Sequence, residues 1–188
     1  MTYAILWIED NLQSIFAPYL APILADSSLY LQQVPDAAQA FEALKHHAYD
    51  LIVFDLDLPP GENKEMEKIY RHCTPQPQKA TEALGYYLLQ AWLERPRDRS
   101  SEDTDLPADI EVEKIRLPPP LSTSQVVVYS VFANNFRKEL LQLGLQNDHI
   151  IQKSVKQSRF YLHRQIKVFL KNRSTEKGAL TTETRRKA

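Results

Sequence analysis

Residues 49–60 read YDLIVFDLDLPP. Leu51 to Phe54 form an unbroken apolar run rather than the alternation of a half-buried strand, so the segment reads as a strand covered on both faces. Asp55 and Asp57 follow at its carboxyl end, and Pro59-Pro60 stop the extended backbone. VVVYSVF (126–132) has the same character. Three weaker runs, AILWI (4–8), LYLQQV (29–34) and HIIQ (149–152), bring the number of expected strands to five.

Helical spacing fills the intervals. Asp36 can cap a helix whose Ala37, Ala40, Phe41 and Leu44 share one face. Leu84, Tyr87, Leu88 and Ala91 repeat that spacing, as do Ala133, Phe136, Leu140 and Leu143. A final helix, from about Ser158 to Lys171, carries Leu162, Ile166, Phe169 and Leu170 as its apolar stripe. The segment 11–25 is a poorer helix, because Pro18 and Pro22 each remove a backbone donor. The βα alternation predicts an α/β domain: a doubly wound, five-stranded parallel sheet of flavodoxin-like order with helices on both faces. Two connections, about 59–82 and 96–124, exceed what such a plan needs and read as insertions. The expected layout is one domain over 1–171, followed by a basic flexible tail over 172–188.

The chain has 188 residues, 43% hydrophobic and 25% charged, enough for one self-sufficient core. A single cysteine, Cys73, excludes a disulfide framework and a cysteine-based zinc site. The N-terminal stretch lacks a basic region before its apolar run, so it does not read as a signal peptide, and no run has the length of a membrane span. A cytoplasmic setting is expected. The net charge of −1 hides an asymmetry: residues 1–152 hold 12 Lys+Arg against 22 Asp+Glu, and residues 153–188 hold 11 against 2. A basic terminus of this kind suits an acidic partner or a second copy of the chain. No recognition helix or aromatic stacking pattern accompanies the charge, which argues against nucleic acid.

In a parallel sheet the strand ends meet at one rim. Glu9 and Asp10 end the first strand, Asp55 and Asp57 the third, Ser130 the fourth and Lys153 the fifth. Carboxylates converging there repel one another unless a cation sits between them, and all-oxygen ligands suit Mg²⁺. Lys153 offers a point charge to a phosphate oxygen, and Ser130 a hydroxyl donor. Taken singly, an acidic pair after a strand is as well explained as a helix cap. The combination at one rim, in this order, is what carries information.

These residues resemble the receiver domain of two-component response regulators. The resemblance rests on the acidic pair in ILWIEDN, the aspartate in YDLIVFDLDLPP, Gly85 in GYYLLQAWLE, the hydroxyl in VVVYS and Lys153 in HIIQKS. It spans residues 1–171 with two insertions. It implies that Asp55 accepts a phosphoryl group from a histidine kinase or phosphotransfer protein and passes the signal to a downstream protein. It further implies that Asp10 and Asp55 ligate Mg²⁺, with Glu9 acting through water and Asp57 through its carbonyl. Ser130 and Lys153 would bind the phosphoryl oxygens. The protein would then be a signalling phosphoacceptor rather than a turnover enzyme. The sequence departs from the family pattern at Ser154, where proline is usual after the lysine. It departs again at Ile150, where an aromatic is usual, and at Val131, where a small residue is usual.

Two rivals remain. One is a pseudo-receiver, the same fold used only for docking. The other is a haloacid-dehalogenase-like phosphatase, which the DLDLP motif resembles, but whose acidic metal pair follows the lysine. Here only Glu176 and Glu183 lie beyond Lys153, and the pair stands at Glu9-Asp10. His46-His47 ends a helix, where cations complement the dipole. His72 and Cys73 lack partners at zinc spacing, and Trp92, Tyr86 and Tyr87 read as packing residues.

Overall fold

The computed structural model describes residues 2–11, 17–64, 66–68, 83–93, 120–154 and 156–186, with the side chains of the last helix described as far as Arg173. Five parallel strands make one sheet in the order β2-β1-β3-β4-β5. They are β1 (Tyr3–Ile8), β2 (Leu29–Val34), β3 (Leu51–Phe54), β4 (Val126–Ser130) and β5 (Ile150–Gln152). The helices are α1 (Ala17–Leu24), α2 (Ala37–His46), α3 (Leu84–Trp92), α4 (Arg137–Gln142) and α5 (Tyr161–Arg186). This is the flavodoxin-like α/β arrangement that the alternation predicts.

The pleat sorts each strand between two cores. Leu6, Ile8, Ile52, Phe54, Val126 and Val128 meet α2, α3 and α4 on one face. Ile5, Trp7, Leu51, Val53, Val127 and Tyr129 meet α1 and α5 on the other. Every residue of β3 and β4 is buried, as their unbroken apolar character requires. Asp36 caps α2 through Oδ1, which accepts from Gln39 N–H at 2.7 Å. Trp92 and Tyr86 are packing residues: Trp92 meets Phe54 edge-on at 6.0 Å, and Tyr86 stacks on Phe136 at 5.1 Å.

Two helix boundaries differ from the sequence reading. α1 accommodates Pro22 at the cost of one backbone bond, and residues 12–16 of the expected segment 11–25 lie outside the described part. After β4 the chain makes tight i→i−3 turns, Ala133 N–H to Ser130 O at 3.3 Å and Asn135 N–H to Phe132 O at 2.9 Å, so α4 starts only at Arg137. Ala133, Phe136 and Leu140 nevertheless bury on one side, as their spacing predicts. Finally, α5 passes Lys171 and runs to Arg186, so the helix continues into the segment expected as a basic flexible tail. Arg159, Arg164, Lys167 and Lys171 are exposed beside its buried stripe. Of the two insertions, residues 69–82 and 94–119 lie outside the described part, and His72 and Cys73 lie there too.

Gly85 fixes where α3 starts. Its N–H donates to Leu56 O at 3.0 Å, and a Cβ at this position would stand 2.5 Å from Asp55 O and 2.7 Å from Leu56 Cα. Backbone on backbone leaves nothing flexible to yield. Gly85→Ala is therefore expected to cost about 2 kcal/mol of stability despite alanine's better helix propensity. Urea unfolding of both proteins checks this; an unchanged or higher midpoint would contradict the close approach.

Candidate functional site at the carboxyl ends of the strands

Strand register sets the heights of the site residues. Ile8 pairs with Phe54, Phe54 with Val128, and Ser130 with Gln152. The ladder then continues one step beyond the strands. Glu9 N–H donates to Val34 O at 3.0 Å, Asp55 N–H to Ile8 O at 3.1 Å, and Lys153 N–H to Ser130 O at 2.9 Å. Register thus sets Glu9 and Asp55 level, with Lys153 two residues further along the sheet and its side chain reaching back to both.

Their side chains meet. Lys153 Nζ is paired with both Glu9 Oε2 and Asp55 Oδ2. All three residues are nearly sealed from solvent, with exposures of 5% for Lys153, 1% for Glu9 and 3% for Asp55. Asp55 Oδ1 accepts Asp57 N–H at 3.2 Å, so both oxygens of this carboxylate are held. Glu9 Oε1 accepts Asn11 N–H at 3.2 Å, and Asn11 Nδ2 donates to Asp10 Oδ1 at 2.7 Å. Carboxylate oxygens of Glu9, Asp10 and Asp55 lie within 4.8 Å of one another.

Among the described residues the charge count does not close. Three carboxylates face one ammonium, and two of the three are buried. Burial, followed by repulsion from Asp55, raises the Glu9 carboxyl to about 7, against the pull of Lys153. Burial and then Asp55 also raise Asp57. A site that drives one of its own acids toward neutrality has room for a further positive charge. Asp10, exposed at the mouth, gives a cation a way in. The donor set is all oxygen, which fits Mg²⁺.

Of the residues expected at the rim, Glu9, Asp10, Asp55 and Lys153 are brought together. Asp57 is exposed and contributes its amide; its carboxylate is outside the group of three. Ser130 is buried as well, but its Oγ accepts Phe132 N–H at 3.2 Å and makes no hydrogen bond to Asp55. The hydroxyl hydrogen remains available to an incoming oxygen. His46 and His47 are exposed at the end of α2, where His46 pairs with Glu42 at 3.3 Å; they form no metal group among the described residues.

Sequence reasoning missed the support beneath Lys153. Tyr19 OH donates to Gln157 O at 3.1 Å and to Ser154 O at 3.3 Å. Gln157 Nε2 donates to Gln152 O at 2.9 Å, and Tyr129 OH reaches Gln157 Oε1 at 3.3 Å. The Tyr129 ring lies 5.7 Å below Lys153 Nζ. This network holds the β5–α5 turn at Ser154. Nothing in the spacing of Tyr19, Tyr129 and Gln157 shows that they converge.

The fold has known counterparts. It matches a CheY-like response regulator receiver domain protein from Methanospirillum hungatei JF-1 with a TM-score of 0.54 and 14% identity, over 94% of this chain and 99% of that one. A fused chain carrying a yeast Spc42 trimeric coiled-coil segment aligns with a TM-score of 0.47 and 14% identity, over 98% of this chain and 89% of that one. The second likeness carries no argument at that level. No protein-family model matches the sequence, and no curated protein matches it. The likeness is one of fold: a five-stranded, flavodoxin-like α/β sheet. Among the described residues no helix is long and apolar enough to cross a membrane.

The raised Glu9 carboxyl has a signed consequence. Between pH 4.5, its ordinary value, and about 7, the folded chain keeps a proton that the unfolded chain has released. Stability without divalent metal should therefore fall as pH rises through that window and level off above it. Glu9→Gln should remove that part of the slope. Chemical unfolding in a chelator across this range checks it; parallel wild-type and variant curves would contradict the raised value.

Proposed function

We propose that the chain is a receiver-type phosphoacceptor of a two-component system, acting in the cytoplasm, with residues 1–171 working as one unit. The observation that carries this reading is Lys153 set between Glu9 and Asp55 at the rim of a receiver-like sheet. Asp55 is the nucleophile. One of its oxygens attacks the phosphorus of a phosphohistidine on a histidine kinase or phosphotransfer protein. The P–O bond forms as the P–N bond breaks, and the departing imidazole nitrogen takes up a proton.

Asp10 and Asp55 would hold Mg²⁺ directly, Glu9 through water and Asp57 through its carbonyl; the ion would offset charge on the phosphoryl oxygens. Lys153 moves from carboxylate to phosphoryl oxygen while staying within reach of Asp55. Ser130 supplies its free O–H to a second oxygen. Asp57 N–H continues to hold Oδ1, which orients the carboxyl group throughout.

One observation favours a second reading. Ser130 Oγ is turned to its own loop, and Ile150, which stands where the family has an aromatic, is packed in the core at 3% exposure. The fold could then serve as a docking module without phosphorylation. Intact mass after incubation with a small-molecule phosphodonor and Mg²⁺ separates the two. Wild type should gain about 80 Da, the mass of one phosphoryl group, and Asp55→Asn should gain nothing. An unmodified wild type would favour the docking module, and an equal gain in both proteins would put the acceptor elsewhere.

A further inference from the structure

The two lateral edges of the sheet are treated differently. At β5 the Lys153 N–H bond to β4 shows that the backbone groups of Ile150 and Gln152 point outward. These are covered. Ile150 N–H donates to Asn147 O, Ile150 O accepts from Arg137 Nη2 at 2.9 Å, and Gln152 O accepts from Gln157 Nε2 at 2.9 Å. The Gln152 side chain is tied to the β4–α4 turn as well, its Oε1 accepting Asn134 N–H at 3.0 Å. That edge is three residues long and closed.

The β2 edge is open. Tyr3 N–H donates to Ser28 O and Glu9 N–H to Val34 O, so the even-numbered residues of β2 face β1 and Leu29, Leu31 and Gln33 face outward. Leu29 N–H is taken by Asp26 O at 2.9 Å. Among the described residues, nothing hydrogen-bonds the other outward groups: the carbonyls of Leu29, Leu31 and Gln33 and the amides of Leu31 and Gln33. Edges of this kind are normally blunted by charge, proline or a covering element. LYLQQV has no charged residue and no proline. The two most exposed large hydrophobics of the described residues stand here as well: Tyr30 on β2 at 60%, and Leu24 at 61%, closing the helix that packs on β2.

We propose that β2 is a self-association surface, on which a second copy of this chain adds its own β2 antiparallel to form a continuous ten-stranded sheet. The strand is self-complementary. The outward residues 29, 31 and 33 are centred on Leu31, so a twofold axis there exchanges a pair of N–H to O=C bonds between the two Leu31 residues. Each Gln33 N–H is then paired with the other copy's Leu29 O. Tyr30 lies opposite Gln32 of the other copy, and its exposed ring is covered. Because LYLQQV is uncharged, two identical strands meet without like-charge repulsion. Of the acids flanking the strand, Asp26 is held by His163 at 2.9 Å and Lys167 at 3.1 Å, and Asp36 caps α2.

The centre of this surface, Leu31, stands level with Ile5, four residues before Glu9, and the association does not depend on Asp55 being phosphorylated. Analytical ultracentrifugation of the full chain tests it, and a dimer in the micromolar range is expected. Tyr30→Glu, at an exposed position, should weaken association at least about tenfold by placing like charges in the joint. Gln33→Pro should do the same by removing an outward donor, with circular dichroism confirming the fold. Should Gln33→Pro misfold, amide exchange in wild type decides: Leu31 and Gln33 should exchange more slowly as concentration rises. A chain that stays monomeric at high micromolar concentration overturns the proposal. So does a dimer unaffected by Tyr30→Glu whose Leu31 and Gln33 amides stay unprotected.

Discussion

A buried ammonium organises one pole of this molecule. Lys153 Nζ sits between Glu9 Oε2 and Asp55 Oδ2, joining residues 144 and 98 positions apart in the chain. Removing it would leave two carboxylates uncompensated in the protein interior, a loss that in comparable buried pairs costs about 3–5 kcal/mol. Among the described residues one ammonium faces three carboxylates, and both oxygens of Asp55 are held.

The elements around the pole hold those three side chains within reach of one another. The backbone bonds of Glu9, Asp55 and Lys153 extend the strand ladders by a single residue. Gly85 lets α3 press against the Asp55 carbonyl. Tyr19, Tyr129 and Gln157 brace the turn that follows Lys153. Each of these contacts lies on a different element, so the site depends on the whole sheet being in register.

Much of the fold was legible because β3 and β4 are buried on both faces and must therefore read as continuous apolar runs. Glu9, Asp55 and Lys153 could be placed because parallel topology sends every strand's carboxyl end to one rim. Helix limits were less legible. The apolar spacing of Ala133, Phe136 and Leu140 reports burial on one side, which tight turns achieve as well as a helix does. α5 outruns its apolar stripe, and a polar continuation carries no periodic signal to mark its end. The brace beneath Lys153 was illegible for another reason: its Tyr19 hydrogen bonds cross more than a hundred residues of sequence, and no local pattern encodes those.

The central claim is that the Glu9, Asp10 and Asp55 carboxylates are under-neutralised by Lys153 and take a divalent cation. Calorimetric titration of Mg²⁺ into the wild-type chain and into Asp10→Asn tests it most directly. Asp10 is exposed, so its loss should spare the fold while removing a ligand. Saturable binding to wild type that is lost or greatly weakened in Asp10→Asn is the predicted result. No binding to wild type, or equal binding to both proteins, would contradict it.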